Sequence, residues 1–233
     1  MKFSHTLIHA KIIRRYKRFL ADLIIDETNE KVVAHVPNTG AMTNCWEAGW
    51  PALLSISDNP NRKLKYTLEM THNGATWIGV NTANANRLAE EAIRNSIINE
   101  LSTYDSIRRE VKYGKNSRID LLMESGTTRN YVEVKNVTLN SPSDFALFPD
   151  AITERGQKHI DELVQVMESG EKAALLFIIQ REDVNYFEPA WEIDPVYSKK
   201  LREAQKRGLQ ILAYQCKLSP DEISVTKQLP VRI

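Results

Sequence analysis

Residues 117–135 read SRIDLLMESGTTRNYVEVK and set the architecture of the second half of the chain. Two runs rich in branched apolar residues are typical of β-strands, and Ser125-Gly126 separates them as a turn. Side chains alternate along a strand, so Glu133 and Lys135 are predicted to project from one face. Because neighbouring strands lie about 4.8 Å apart, Asp120 is expected to reach the same place.

The predicted site puts two carboxylates, Asp120 and Glu133, beside one lysine. Two carboxylates this close repel each other unless a positive charge lies between them. A hard divalent cation supplies that charge, and Mg²⁺ is typically held by one or two carboxylates with phosphate and water. Lys135 would then orient or help deprotonate the attacking water, or stabilise charge on a phosphate. The alternative interpretation is a solvent-facing strand edge with a simple Glu–Lys pair.

Elements around this hairpin complete an α-β-β-β-α-β-α-β order. A first helix is predicted over residues 87–103 by apolar residues at helical spacing, with Asn84 or Asn86 as its N-cap. A turn is predicted at Gly114-Lys115-Asn116. The remaining predictions are strands at 107–113, 118–123, 131–137, 173–180 and 209–216 and helices at 153–168 and 195–207.

The first 80 residues are predicted to form strands, at 7–14, 19–25, 31–36, 52–57, 66–70 and 76–80. Short strands at this spacing indicate a small closed barrel or a sandwich, and an OB-like barrel fits the length. The predicted fold class is a two-domain α+β or α/β protein. Residues 1–83 are predicted to form an OB-like, nucleic-acid-binding barrel, and residues 84–233 are predicted to form a mixed sheet flanked by helices.

The composition excludes several classes of protein. With 31 Lys and Arg against 30 Asp and Glu, the formal net charge is +1, unlike a disordered chain or a highly basic polymer binder. No apolar stretch approaches the 18 or so residues of a membrane span, and the first residues lack the apolar core of a secretory signal. Cys45 and Cys216 stand far apart, so a cytoplasmic protein without a disulfide framework is expected.

Basic residues are concentrated near the start of the chain. Before the first acidic residue, Asp22, come Lys2, Lys11, Arg14, Arg15, Lys17 and Arg18, with Phe3, Tyr16 and Phe19 interleaved. Basic and aromatic residues together suit a phosphate backbone and stacked bases, and the alternative is an ordinary solvated strand face. Arg14, Arg15 and Arg18 are therefore candidate phosphate contacts.

The element order with its Asp…Glu-x-Lys set resembles the PD-(D/E)xK nuclease superfamily. The resemblance implies that the Asp and the Glu bind Mg²⁺ or Mn²⁺ and that the Lys assists the water nucleophile. It adds Glu100, from the first helix, as a further metal ligand. It also adds Gln157 and Lys158, from the helix after the motif strand, as catalytic groups. One departure is Ile119, which stands where the motif has proline.

A closer similarity, to the sugar fermentation stimulation protein A (SfsA) family, covers nearly the whole chain. It rests on the runs HVPNTG at 35–40, EVKYG at 110–114, SRID at 117–120, YVEVKNVTL at 131–139, FPDA at 148–151 and TERGQKH at 153–159. The resemblance implies an OB-like N-terminal domain, a nuclease-like C-terminal domain and DNA binding. One departure is RKLK at 62–65, where the family usually has Thr third, although the loop stays basic.

Further candidates for phosphate contact are Arg155, Lys158 and His159 near the predicted metal, and Arg62 and Lys63 on the barrel. For the first three, the alternative is helix capping and surface charge, and His159 could equally be a packing residue. The 37–40 run PNTG suits a backbone contact with nucleic acid or, better, a tight turn.

Two functions remain as hypotheses. The first is an endonuclease or exonuclease acting on DNA or RNA with Mg²⁺ or Mn²⁺. The alternative is a non-cleaving DNA-binding transcriptional regulator of sugar metabolism, of the maltose type, which the resemblance to the SfsA family implies. A binding-only protein has no chemical reason to keep two carboxylates facing a phosphate, and no helix-turn-helix signature is present. The sequence leaves the oligomeric state open, a dimer included, and no membrane partner is expected.

Overall fold

The computed structural model describes residues 1–113 and 117–233. Its first six strands are β1 (Ile8–Tyr16), β2 (Leu20–Ile25), β3 (Lys31–His35), β4 (Pro51–Ile56), β5 (Tyr66–His72) and β6 (Trp77–Gly79). They form one sheet in the order β3-β2-β1-β4-β5-β6. Parallel pairing between β3 and β5, at Ala34 with Tyr66 and at His35 with Thr67, closes β1–β5 into a barrel. The predicted barrel is therefore confirmed.

The barrel strands follow the alternation read from the sequence. In β2, Ala21, Leu23 and Ile25 are buried in the barrel while their neighbours are half-buried. Tyr16 pairs with Leu20, so Lys17, Arg18 and Phe19 form a three-residue loop between β1 and β2, in which Lys17 and Arg18 have left-handed φ angles of 49° and 62°. The basic residues at this turn are consequently carried on a tight, well-defined loop.

After the barrel, the described residues form two further sheets and three α-helices. Its elements are α1 (Ala85–Arg94), β7 (Ser106–Tyr113), β8 (Ser117–Ser125), β9 (Thr128–Val137), β10 (Leu139–Asn140), β11 (Phe145–Phe148), α2 (Glu154–Glu168), β12 (Lys172–Ile179), β13 (Tyr186–Pro189), α3 (Pro195–Lys206), β14 (Gln210–Leu218) and β15 (Ile223–Gln228). The C-terminal sheet has the order β15-β14-β12-β9-β8-β7, and β10, β11 and β13 form a small separate sheet. β9, β12 and β14 are parallel, and the outer pairings are antiparallel, so the sheet is mixed as predicted.

Helices cover both faces of the C-terminal sheet. α1 packs on one face through Leu88 and Ala92, and α2 and α3 pack on the other through Leu163 and Leu201. Every residue of β12 after Lys172 is buried, as expected of a central strand covered on both sides. Side chains of β12 therefore contribute to the apolar layers on both faces of the sheet.

The first helix of this region is shorter than predicted. Helix α1 ends at Arg94, not at residue 103, because Ser96 adopts a left-handed φ of 55° and the chain turns away. Ile98 and Leu101 are still fully buried, the latter in a short 3₁₀ turn, so the apolar spacing marked burial rather than continuous helix. The sequence also missed β10, β11, β13 and β15. The turn predicted at residues 114–116 lies outside the described residues.

The barrel and the C-terminal sheet are packed against each other. Met70 of the barrel belongs to the same apolar cluster as Leu176 of the sheet. The backbone N–H of Gly79 donates to the carbonyl of Gln180 over 2.9 Å. The division of the chain at residues 83 and 84 stays a prediction. In the described ranges, no helix has both the length and the apolar character needed to cross a membrane.

Candidate metal and nucleic-acid site

A fork between β8 and β9 positions the first predicted carboxylate. The two strands pair from Ser125 with Thr128 up to Leu121 with Val132, and beyond that β9 continues beside β12. Asp120 lies where the strands part. Its Oδ2 accepts a hydrogen bond of 2.8 Å from the backbone N–H of Val134 on the other side of the fork. The Asp120 carboxylate thus takes the place of the next interstrand hydrogen bond between β8 and β9.

The second carboxylate, Glu133, is held from one side. Lys135 Nζ donates to Glu133 Oε1 over 2.6 Å, and His159 Nδ1 contacts the same oxygen. Only 3% of the Glu133 side chain and 14% of the Lys135 side chain are exposed. The other carboxylate oxygen, Oε2, is buried and has no hydrogen-bond partner among the described residues. The structure therefore brings Glu133 and Lys135 together on one face and leaves one carboxylate oxygen available.

The two carboxylates differ in electrostatic environment. Burial and the negative charge of Glu133 raise the pKa of Asp120 to about 6. Burial also acts to raise the pKa of Glu133, but the hydrogen bond from His159 and the charge of Lys135 outweigh it and lower that pKa overall. The negative charge of Glu133 is therefore well supported on the Oε1 side, whereas Asp120 forms no ion pair with a cationic side chain among the described residues.

Asn86 supports Asp120 from helix α1. Its amide Nδ2 donates to Asp120 Oδ1 over 2.9 Å and lies 3.4 Å from Glu110 Oε1. Asn86 was expected only as an alternative helix cap, but the N-cap residue is Asn84, whose side chain makes no capping bond. The only sequence signal for the role of Asn86 was a polar side chain at the start of the helix before the motif strands.

Two cavities meet at the carboxylates. One, of about 350 Å³, has Asn38, Thr39 and Gly40 of the barrel on one side and Asp120 and Glu133 on the other. The second, of about 410 Å³, shares both carboxylates and extends to Arg118, Arg155, Lys158 and His159. The PNTG loop of the barrel therefore forms a wall of the site rather than a remote turn.

Arg15 holds that wall in place. Its guanidinium donates to the carbonyls of Asn38 and Gly40 over 3.0 Å each and to the carbonyl of Ala41 over 3.2 Å. Desolvation of this partly buried group lowers its pKa. Asn38 Oδ1 in turn accepts from the Gly40 N–H over 2.8 Å, which closes the tight turn. Arg15, predicted as a phosphate contact, is placed as a clamp on the cavity wall.

The other predicted basic contacts of the barrel lie outside both cavities. Arg14 donates to Asp22 over 2.7 Å. Arg62 lies 3.3 Å from a ring nitrogen of His35, whose pKa is lowered by burial and by the arginine charge. Arg18 and Lys63 are exposed. These residues stay candidates for contacting the flanking backbone of a nucleic acid.

Glu100 and Gln157 also lie away from the carboxylates. Glu100 accepts from Tyr214 Oη over 2.6 Å and from Gln228 over 2.7 Å, at the β14–β15 side of the sheet. Because α1 ends at Arg94, residue 100 falls in the 3₁₀ turn and not on the helix. Gln157 donates to both oxygens of Asp194, the N-cap of α3, over 3.0 and 3.1 Å.

Lys158 and Arg155 do face the cavities. Lys158 is more than half exposed, lies 3.4 Å from Ser117 Oγ and pairs with Glu162 over 3.3 Å. Arg155 is exposed and lines both cavities. Within residues 1–113 and 117–233, no group of three or more His, Cys, Asp or Glu side chains is arranged to hold a metal. A cation here would rest on Asp120 and Glu133, with water or substrate completing its shell.

Comparison with known families identifies both halves of the chain. Residues 13–80 match the family model described as the SfsA N-terminal OB domain, and residues 83–222 match the sugar fermentation stimulation protein RE domain. The chain belongs to the SfsA family. Within this family, the barrel is the OB domain, and the mixed sheet with its helices is the larger C-terminal domain.

Relatives support the assignment along the full length of the chain. A sugar fermentation stimulation protein homolog of Geotalea uraniireducens is 49% identical over 233 residues, covering 100% of both chains. The Geobacter sulfurreducens homolog is 48% identical over 231 residues, covering 99% of this chain and 98% of the relative. The solved structure of Pyrococcus furiosus SfsA in complex with Ca²⁺ is similar with a TM-score of 0.90 and 28% identity, covering 100% of this chain and 98% of that one. The SfsA-family fold thus extends over both domains.

Proposed function

We propose that this SfsA-family protein is a metal-dependent nuclease that hydrolyses phosphodiester bonds of DNA or RNA at Asp120 and Glu133. The observation that carries the proposal is the buried Oε2 of Glu133, which has no partner among the described residues, in a side chain that lines a cavity together with Asp120. A buried carboxylate oxygen without a partner is costly unless a cation or a donor completes its environment.

The donor set suits Mg²⁺ or Mn²⁺. Carboxylate oxygens are the ligands that hard divalent cations prefer, and Mg²⁺ commonly takes only one or two of them together with water and phosphate. The charge of Glu133 acting on Asp120 also favours an intervening cation. Pyrococcus furiosus SfsA was solved in complex with Ca²⁺, another hard divalent cation, and this supports the same class of ligand here.

The residues around the carboxylates have complementary tasks. A bound divalent cation would polarise a phosphoryl oxygen and lower the pKa of a water molecule. Lys135, whose ammonium lies 2.6 Å from Glu133 Oε1, lowers the pKa of that carboxylate and would set a positive charge beside the attacked phosphate. Arg155 and Lys158 line the second cavity and would neutralise phosphates on either side of the cleaved bond.

The OB barrel would hold the strand that leads into the site. Its PNTG loop lines the carboxylate cavity, so a nucleic acid held on the barrel would pass directly to Asp120 and Glu133. Arg14, Arg18, Arg62 and Lys63 would bind its phosphates, and neutralising one of them should reduce the salt dependence of binding. With a net charge of +1, weak binding without sequence preference is expected.

Cleavage assays test the proposal directly. Labelled single- and double-stranded DNA and RNA are incubated with the wild type, Asp120→Asn and Glu133→Gln, in Mg²⁺, in Mn²⁺ and in EDTA. Glu100→Gln is a matched control, because Glu100 is a carboxylate bonded to Tyr214 and Gln228 outside the cavities. We expect metal-dependent cutting by the wild type and by Glu100→Gln. At least a 100-fold loss is expected in the two site variants, since removing a group that stabilises the transition state by about 2.7 kcal/mol has that effect.

The same assay separates the alternative function. A non-cleaving regulator would bind DNA, and the wild type and both site variants would leave every substrate intact with and without metal. Cutting that persists in Asp120→Asn would contradict the assigned site. If neither the wild type nor the variants bound any nucleic acid at modest salt, the nuclease and the regulator would both be excluded.

A further inference from the structure

His159 is a buried histidine on α2 that touches three charged residues of the site. It is 7% exposed, so its ring nitrogens depend on protein partners. Arg155 Nε lies 3.4 Å from His159 Nε2 in donor geometry. A guanidinium donates and never accepts, so Nε2 must be the accepting nitrogen and the ring proton must be on Nδ1.

The proton on Nδ1 points to Glu133. His159 Nδ1 contacts Glu133 Oε1, and Lys135 Nζ donates to the same oxygen over 2.6 Å. Lys135 Nζ and His159 Nδ1 are 3.2 Å apart, the separation of two donors that converge on one acceptor. Both donors therefore occupy Oε1, and Oε2 is the oxygen without a partner among the described residues.

We propose that His159 is a positioning residue that fixes the rotation of the Glu133 carboxylate, with Arg155 selecting the histidine tautomer. This inference rests on the proposed function, because the oxygen it keeps free is the one assigned to the divalent cation. Partners behind a ligand commonly set its orientation, and losing one typically lowers metal affinity by about 10–100-fold. Lys135 alone cannot do this, because an ammonium on a flexible stem is a point donor without a preferred plane.

The alternative role for His159 is packing alone. Its neighbour Ile160 is also buried, so the ring could simply fill space beneath the sheet. A packing role predicts that any residue of similar size preserves metal binding. A positioning role predicts that only a residue with a donor at the place of Nδ1 does so.

Two amide substitutions distinguish these roles. The amide nitrogen of His159→Asn lies near the place of Nδ1 and can donate to Glu133 Oε1. The amide of His159→Gln reaches the place of Nε2, where it faces Arg155 instead. Mn²⁺ affinity of the full chain is measured by titration calorimetry for both variants, and urea unfolding verifies that each is folded. Glu133→Gln serves as the variant that lacks the ligand.

We expect His159→Asn to bind Mn²⁺ within a few-fold of the wild type and His159→Gln to bind it about 10–100-fold more weakly. Arg155→Met should also weaken Mn²⁺ binding, because without the Arg155 donor the ring proton of His159 is no longer confined to Nδ1. Equal affinities of folded His159→Asn and His159→Gln would overturn the inference. If the wild type binds Mn²⁺ and Glu133→Gln does not, such equality leaves the proposed function intact. If the wild type shows no binding at millimolar Mn²⁺, the metal-dependent function fails and the inference fails with it.

A second measurement does not depend on metal. Nitrogen-15 NMR of the metal-free protein distinguishes a protonated Nδ1 from a protonated Nε2 in the ring of His159. We expect the proton on Nδ1 in the wild type and a loss of this preference in Arg155→Met. A proton on Nε2 in the wild type would refute the inference, whatever the metal affinities are.

Discussion

Arg181 lies fully buried where the barrel meets the C-terminal sheet, and its replacement gives a sharp test of how the two domains are joined. Its Nε and Nη2 donate to the two oxygens of Asp183 over 2.6 and 2.7 Å, and its Nη1 donates to the carbonyl of Thr138 over 2.6 Å. Asn73 of the barrel donates to the same Asp183 carboxylate over 3.0 Å. The arginine thus anchors a hydrogen-bond network that extends from the sheet to the barrel.

Arg181→Met keeps the length of the side chain but removes its charge and its donors. Removing one partner of a buried ion pair costs about 3–5 kcal/mol. Asp183 is 23% exposed and can regain some water, so a loss near the lower limit is expected, about 3 kcal/mol. For a chain of this size, that corresponds to a fall in Tm of about 6–12 °C.

Urea unfolding followed by circular dichroism and by tryptophan fluorescence measures this loss. Arg129→Met is the matched control, because Arg129 is 53% exposed and its nearest carboxylates lie 3.4 and 3.9 Å away. That substitution should cost less than about 1 kcal/mol. If Arg181→Met were no more destabilising than Arg129→Met, the buried network would not hold the domains together as described.

Two further substitutions remove or create local contacts. Asp194→Ala removes the acceptor for Tyr197 and Thr153 and should destabilise the protein by about 2 kcal/mol at pH 7. Burial acts to raise the pKa of Asp194, but hydrogen bonds from backbone amides and Gln157 lower it overall. The stabilisation that the Asp194 carboxylate provides is therefore present above about pH 4 and is lost as the pH falls through its folded-state pKa. If the difference in unfolding free energy between the wild type and Asp194→Ala grew at low pH, this prediction would be wrong. Gly40→Ala would place a Cβ against the Asp150 carboxylate and should cost about 1–3 kcal/mol, and Asp150→Ala in the same chain should restore part of it in a melting experiment. If Gly40→Ala alone were as stable as the wild type, the Asp150 side chain would move aside without cost and the predicted clash would be wrong.

The barrel and the carboxylate hairpin could be predicted because their signals are local. Turn residues separate the first six strands, and their observed bounds lie within two residues of the predicted ones. Glu133 and Lys135 share a face because strand side chains alternate, which needs no knowledge of the rest of the fold. The prediction of the first helix was wrong at its C-terminal end, since buried Ile98 and Leu101 continue the apolar spacing after the backbone has left the helix.

What the sequence could not supply are contacts between distant residues. Asn86 reaches Asp120 from a helix 34 positions away, and Gln157 reaches Asp194 over 37 positions. Arg15 looked like a phosphate-binding residue, but the carbonyls of the 38–41 loop occupy its donors. Composition and spacing indicate that a charged side chain is present, whereas its partner depends on how the barrel and the sheet are packed.

The pairing of β8 with β9 also determines where this chain can change in length. Ser125 pairs with Thr128, so Gly126 and Thr127 form the tip, and residues inserted there would leave every strand pairing in register. One extra residue just before Glu133 would invert every later side chain of β9, because a strand repeats every two residues. The tip is therefore the place for a peptide tag or a fused sensor domain. The number of residues in β9 before Glu133 is therefore fixed, because it decides which side chains face the apolar layer and which face the carboxylate site.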